Sequence, residues 1–312
     1  MSAMSKKQRV KGDVFMSEAK DTLAKRTWFA SGTEQKNEDA AELFQKAANA
    51  YKVGGFFNEA GAAYKQSADI FLNQLKNPME GSKSLTDSGH CYKKIDPTKA
   101  IEAFRDSISI MCDNGRLTQA ARLSKEVGDL FENDETDESG DSVKLAIESY
   151  QQAAELYEME QQKSQANQCF VKVAELSSAA LSPPDFLQAA ELYQKLGTDC
   201  LDSNLLKYNA KGYFLQSILC HLANQDSIGA SQAMSRFSSL DFTLRESREG
   251  KFAESLIECI EGMDSEGFAT TCFEYDRISK LDPWKTTILL SVRKSIEGEV
   301  GDDGEEDDLD LT

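Results

Sequence analysis

The sequence predicts an all-α chain, a solenoid of stacked helical hairpins followed by a C-terminal helical bundle, and three observations carry that prediction. First, a phrase of small and bulky residues recurs at helical spacing: Ala40/Phe44/Ala47/Ala48/Tyr51, Ala60/Tyr64/Ser67/Ala68/Phe71, Ala100/Phe104/Ser107/Ile108/Met111 and Ala146/Tyr150/Ala153/Ala154/Tyr157. Each copy puts its members on one helical face. Second, with the weaker copies that begin at Gly81, Ala120, Ala166, Ala189 and Ala210, the starts fall about twenty residues apart. Two helices then make a hairpin of about forty residues, the size of tetratricopeptide and related repeat units. Third, five prolines, few β-branched runs and no alternating apolar pattern leave little room for a sheet. Small residues let neighbouring helices approach closely and the rings fill the next turn, so each hairpin buries its face only when stacked on another.

From the N-terminus, residues 1–35 are expected to form a helix and a loop. Val14, Phe15, Ala19, Leu23 and Ala24 supply an apolar stripe that caps the solenoid, and Lys6, Lys7, Arg9, Lys11, Lys20, Lys25 and Arg26 outnumber Asp13, Glu18 and Asp21. Trp28 and Phe29 then stand side by side, just after Lys25 and Arg26. Adjacent helical positions do not share a face, so at least one ring resists burial. The pair either packs under the first hairpin or dips into a membrane whose anionic headgroups meet the neighbouring cations.

The repeat runs without a break over residues 36–225. Within it, residues 132–141 read as a solvated acidic turn between hairpins. Leu181-Ser182-Pro183-Pro184-Asp185 reads as a helix stop and restart, with Ser182 or Asp185 as the cap. Over residues 226–296 the phrase fades into a helical bundle, with apolar positions at Phe252, Leu256, Ile257 and Ile260, then at Phe268, Cys272, Phe273 and Tyr275. Asp282-Pro283-Trp284 reads as an N-cap with proline at the first helical position, opening a last helix with Trp284, Ile288, Val292 and Ile296 along one side. Residues 297–312 are an acidic tail with nine Asp or Glu and no Lys or Arg.

Composition narrows the function. A formal net charge of −18 over 312 residues argues against nucleic acid as a partner, because phosphate contacts supply most of that affinity. The seven cysteines stand singly, with no paired spacing for a metal, and read as buried thiols of a reducing compartment. The opening segment lacks the apolar core of a signal peptide, and no later stretch is long enough to span a bilayer, which predicts a cytoplasmic protein. No phosphate loop, zinc helix, nucleophile elbow or dinucleotide glycine cluster occurs. His90 and His221 are lone helix-face residues that read as structural, so neither catalysis nor a cofactor is expected.

What remains is surface charge. Lys93, Lys94, Arg116, Arg122, Lys172 and Lys211 recur near hairpin ends or along helices of successive repeats. They either dot a solvated face or align, on the concave side of a stacked array, into a stripe that suits an acidic rod-like partner.

In these residues, and in Cys91-Tyr92-Lys93-Lys94-Ile95-Asp96-Pro97, Asp113-Asn114-Gly115-Arg116, Ser203 to Lys211, Glu274 to Asp282 and Trp284 to Leu290, the chain resembles the soluble N-ethylmaleimide-sensitive factor (NSF) attachment proteins of the α-SNAP type. The resemblance covers nearly the whole length. It implies a non-enzymatic adaptor in vesicle fusion and intracellular protein transport, cytoplasmic and peripherally associated with the cytosolic face of membranes. Several copies would wrap a four-helix SNARE bundle of syntaxin-type and related SNAREs, and recruit an NSF-type AAA+ ATPase that pulls the bundle apart.

By position, the resemblance implies that Trp28 and Phe29 contact the membrane, and that Lys93, Lys94, Arg116, Arg122, Lys172, Leu205 and Lys211 face the SNARE bundle. It implies that Glu258 and Glu261, with Leu311 or Leu309 in the tail, meet the ATPase. Two positions depart from the family pattern: a further SNARE-facing lysine is Gln168 here, and a third carboxylate of the acidic patch is Gly262. SNARE bundles are acidic on their surface, so a basic stripe on a net-acidic chain is a local pattern opposing the global charge. On the repeat alone, a tetratricopeptide-type adaptor for another assembly, such as a chaperone, is the alternative.

Overall fold

The computed structural model describes residues 2–26, 29–134 and 140–298. Among these residues the secondary structure is fourteen α-helices, one π-helical turn at Ile70–Gln74 and one 3-10 turn at Lys207–Asn209, with no strand. The fold is the all-α hairpin repeat with C-terminal helices that the sequence predicts.

Two compact units divide the chain. The first, Met1–Thr136 with Glu148–Ala166, holds α1 (Ala3–Ala24), α2 (Ala30–Gly54), α3 (Phe57–Asp69), α4 (Pro78–Tyr92), α5 (Pro97–Asp113) and α6 (Leu117–Glu132), each packed on the next. Helices α7 (Asp141–Met159) and α8 (Lys163–Ala179) give residues to both units. The second unit, Asp137–Ile147 with Asn167–Thr312, holds α9 (Phe186–Leu201), α10 (Ala210–Ala223), α11 (Ser227–Leu240), α12 (Arg248–Glu261), α13 (Ser265–Ile278) and α14 (Pro283–Gly298). In it α10 is the hub, packing on α9, α11, α12 and α14 around Phe214, Ile218, Leu219, Phe237, Leu256 and Ile288.

One turn builds most of the tight hairpins. At Gly55, Gly115, Gln161, Gln225 and Met263 the chain takes a positive φ of 53–83°. The next N–H then donates to a carbonyl five residues back: Phe56 to Tyr51, Arg116 to Met111, Gln162 to Tyr157, Asp226 to His221 and Asp264 to Cys259, all at 2.8–3.0 Å. This is the Schellman closure, which satisfies the last carbonyls of one helix. At Phe56, Arg116, Asp226 and Asp264 the same residue is the N-cap of the following helix, so the hairpin needs no separate linker. The predicted caps also form: Asp185 accepts from Gln188 N at 2.9 Å, and Asp282, just before Pro283, accepts from Lys285 N at 2.8 Å.

Rings seat on glycines within the helices. A Cβ on Gly12 would lie 2.6 Å from the Tyr51 ring, one on Gly61 2.7 Å from Tyr92, one on Gly89 2.4 Å from Phe104, one on Gly128 2.9 Å from Tyr150 and one on Gly197 2.5 Å from Phe214. All five rings are at most 7% exposed. Each ring therefore fills the volume that a side chain on the preceding helix would occupy, which brings the two backbones close.

This packing corrects part of the sequence expectation. Ala19 is buried and Phe15 and Leu23 are half-buried as the stripe requires, but Val14 and Ala24 are exposed, and α1 also buries Gly12 and Thr22, because Tyr51 packs on Gly12 and donates its hydroxyl to Asp13 at 2.7 Å. Phe273 is exposed as well. All seven cysteines are free thiols, but only five are buried, Cys112 and Cys259 being half-buried at helix edges. Burial pushes the Cys272 thiol up to about 12, which makes it a poor nucleophile.

Candidate functional site

In the first unit a groove of about 410 Å³ runs between α4 and α6 over Met111 of α5. Lys83, Asp87 and His90 line it at helical spacing from α4, and Gln119, Arg122, Leu123 and Glu126 from α6. Arg116 closes one end. Its backbone is fixed by the Schellman bond and its Nη1 donates to Ser82 Oγ at 3.3 Å, while Ser82 is buried on α4 and its carbonyl accepts from Ser107 at 2.8 Å. Among the described residues neither Arg116 nor Arg122 has a carboxylate partner. Two guanidiniums thus point at one groove with their ion-pairing capacity unspent.

The other end of the groove is neutralised. Glu126 lies 2.8 Å from Lys93 Nζ and 3.4 Å from His90 Nδ1. The His90 contact, with Lys93 beside it, outweighs burial and holds the Glu126 carboxyl down at about 2. His90 also packs edge-on against Phe104, with ring centroids 5.2 Å apart, so it is part of the wall rather than a lone residue. Lys94 goes elsewhere, over the Phe57 ring at 4.4 Å. Neighbours in sequence, Lys93 and Lys94 serve different contacts.

The depressed Glu126 carboxyl makes a pH prediction. A folded-state value below the ordinary 4.5 means that the stabilisation is fully present above about pH 4.5 and is lost as pH falls toward 2. Between pH 5 and pH 2 the wild-type chain is expected to lose about 1–2 kcal/mol more than Glu126→Gln, after solvent screening. Urea unfolding at each pH measures it. Parallel losses in the two proteins would show that the contact stores no such energy.

In the second unit Lys172 is half-buried on α8, with Gln168 exposed one turn before it on the same face, and Lys211 is half-buried in the first turn of α10. Leu205 is 90% exposed in the turn after α9, with Leu206 and Tyr208 also exposed beside it. Glu258 and Glu261 are exposed in the last turn of α12, Glu261 accepting from Ser231 at 3.2 Å, and Gly262 is the C-cap. At the negative end of the helix dipole these carboxylates are slightly unfavourable, which the Ser231 hydrogen bond to Glu261 partly offsets.

Phe29 is 79% exposed at the N-cap of α2; Trp28, Leu309 and Leu311 lie outside the described residues. Among those residues no helix is long and apolar enough to cross a membrane. The sequence alone does not single out Glu126, Ser82 or Lys83. Their only signal is helical spacing from Arg122 and His90, since the Lys93–Glu126 contact joins residues 33 positions apart.

Stacked helical hairpins closed by a repeated turn, with rings seated on glycines of the preceding helix, define a tetratricopeptide-like helical-repeat protein. More narrowly, the chain belongs to the soluble NSF attachment protein family, whose description "Soluble NSF attachment protein, SNAP" matches residues 10–297. Human alpha-soluble NSF attachment protein is 35% identical over 271 residues, 87% of this chain and 88% of that protein. Bovine beta-soluble NSF attachment protein is 35% identical over 268 residues, 86% of this chain and 87% of that protein. The vesicular-fusion protein SEC17 of Komagataella phaffii is 32% identical over 305 residues, 94% of this chain and all of that protein. The family is one of adaptors, and this chain is an adaptor rather than an enzyme.

Proposed function

We propose that this chain binds assembled SNARE complexes at membranes and recruits and stimulates an NSF-type AAA+ ATPase that disassembles them during vesicle fusion. The observation that carries the reading is the family match over residues 10–297, joined to relatives whose names describe NSF attachment and vesicular fusion. The groove supports it: Arg116 and Arg122, which have no carboxylate partner among the described residues, suit the carboxylate-rich flank of a SNARE four-helix bundle. On this reading Lys93, Lys94, Lys172, Leu205 and Lys211 add further contacts to the bundle. Glu258 and Glu261, with Leu311 or Leu309, meet the ATPase, and Trp28 and Phe29 touch the membrane on the cytosolic face. Several copies per complex would turn weak contacts into avidity. The working division is a membrane-contacting segment at 1–35, a solenoid at 36–225, a bundle at 226–296 and a tail at 297–312.

Reconstitution with purified ATPase tests it, using SNARE complexes anchored in liposomes and the same complexes in solution. The Trp28→Ser/Phe29→Ser protein is expected to lose about tenfold in disassembly rate on liposomes and little in solution, because two interfacial aromatics supply about that much membrane affinity. A loss relative to the wild-type chain that is no greater on liposomes than in solution would remove the membrane role. A lysate pull-down that recovers chaperone C-terminal peptides and no SNAREs would replace the whole reading by the chaperone-adaptor alternative.

A further inference from the structure

We propose that Glu126 is a built-in competitor for the acidic partner, occupying Lys93 in the free chain so that a partner carboxylate gains that lysine only by displacing it. The proposal rests on the reading of the α4–α6 groove as a SNARE-facing surface. Arg116 and Arg122 are available from the start, since no carboxylate of the described residues pairs with them. Lys93 is not, because its Nζ is 2.8 Å from Glu126 Oε1.

The two members of that pair differ in freedom. The Glu126 side chain is 21% exposed and lies in the groove wall, held also by His90 at 3.4 Å, whereas the Lys93 side chain is 40% exposed at the C-cap of α4. Lysine is therefore the member that can swing toward a partner. Glu126 does not let go by taking a proton near neutral pH, since its neighbours keep it ionised.

Arg116, the N-cap of α6, and Glu126 within it stand ten residues apart, or about 15 Å at the helical rise. The groove thus has an open cationic end and a self-satisfied end. Any acidic surface is drawn to the arginines, but exchange of one carboxylate for another at Lys93 returns little net energy. Lys93 then adds to binding only when the partner places a carboxylate well enough to win the exchange. That makes Glu126 a selectivity element: it lowers the attraction of the face for acidic surfaces of the wrong shape.

A double-mutant cycle decides it, with binding to a preassembled soluble SNARE complex measured at low and physiological salt for Lys93→Ala, Glu126→Gln and the double variant. Lys93→Ala alone is expected to weaken binding about twofold, since displacing Glu126 leaves that lysine only a small net contribution, and Glu126→Gln to tighten binding about three- to fivefold with a steeper salt dependence. In the Glu126→Gln background, Lys93→Ala is expected to abolish the whole gain. Equal effects of Lys93→Ala in both backgrounds overturn the proposal, as does a Glu126→Gln protein that binds more weakly while melting normally. Should Glu126→Gln fold poorly, Glu126→Asp, which withdraws the carboxylate by one methylene, is expected to give a smaller gain in the same direction, and no gain counts against the proposal. Arg116→Ala/Arg122→Ala separates the two claims. If it leaves SNARE binding intact, the reading of the groove fails; if it weakens binding while the cycle is additive, only the competitor fails.

Discussion

The Phe214→Ala variant is expected to unfold at much lower urea concentration than the wild-type chain, with about 3–5 kcal/mol lost from the second unit. Phe214 is 0% exposed and stacked on Phe237 at a centroid distance of 4.4 Å. Its other side fills the volume over Gly197, where a Cβ would lie 2.5 Å from the ring. Deleting the ring removes the wedge between α9 and α10 and leaves a cavity whose walls are held apart by helix backbones. The neighbouring glycine gives the opposite test. Gly197→Ala gains up to about 1 kcal/mol of helix propensity, yet must push the ring away at an overpacking cost of about 1–3 kcal/mol, so a net loss is expected. A stabilised Gly197→Ala protein would mean that the ring has room to move, and the account of close backbone approach would fail.

The same seats explain how much of the fold was legible. The phrase of small and bulky residues is local: its members lie within three or four residues of one another, so periodicity exposes the helix and its buried face. Caps are local too, which is why Asp185 and Asp282 could be read from their own segments. Gly12, Gly89 and Gly197 could not, since a glycine inside a helix looks like a weak point until the ring that needs its space is known. Tyr51 reaches Asp13 across 38 positions, and that contact turns α1 so that Val14 faces outward. The groove divides in the same way. Arg116 stands out beside Gly115 in a turn whose geometry the sequence dictates, whereas Glu126 acquires its meaning only from Lys93 and His90 on another helix. Spacing along one helix shows what shares a face, not which charges on two helices cancel.

That distinction between total and local charge sets the second large effect, expected for Arg116→Glu/Arg122→Glu. Reversing both arginines changes the groove by four charge units without touching the Lys93–Glu126 pair, and places like charge against the acidic flank of a SNARE bundle. Capture of the soluble complex is expected to fall about a hundredfold near physiological salt, each reversal at a groove that excludes some water contributing about tenfold. The matched control is Lys46→Glu/Lys65→Glu, which makes the same change in net charge at exposed lysines that pair with Glu42 and Glu102 away from the groove. If long-range attraction alone recruits the bundle, both double variants lose affinity together and high salt erases the difference between them. If the groove recognises carboxylates at contact distance, the arginine variant alone loses most of its affinity, and it stays the weaker of the two when salt screens everything beyond a few ångströms.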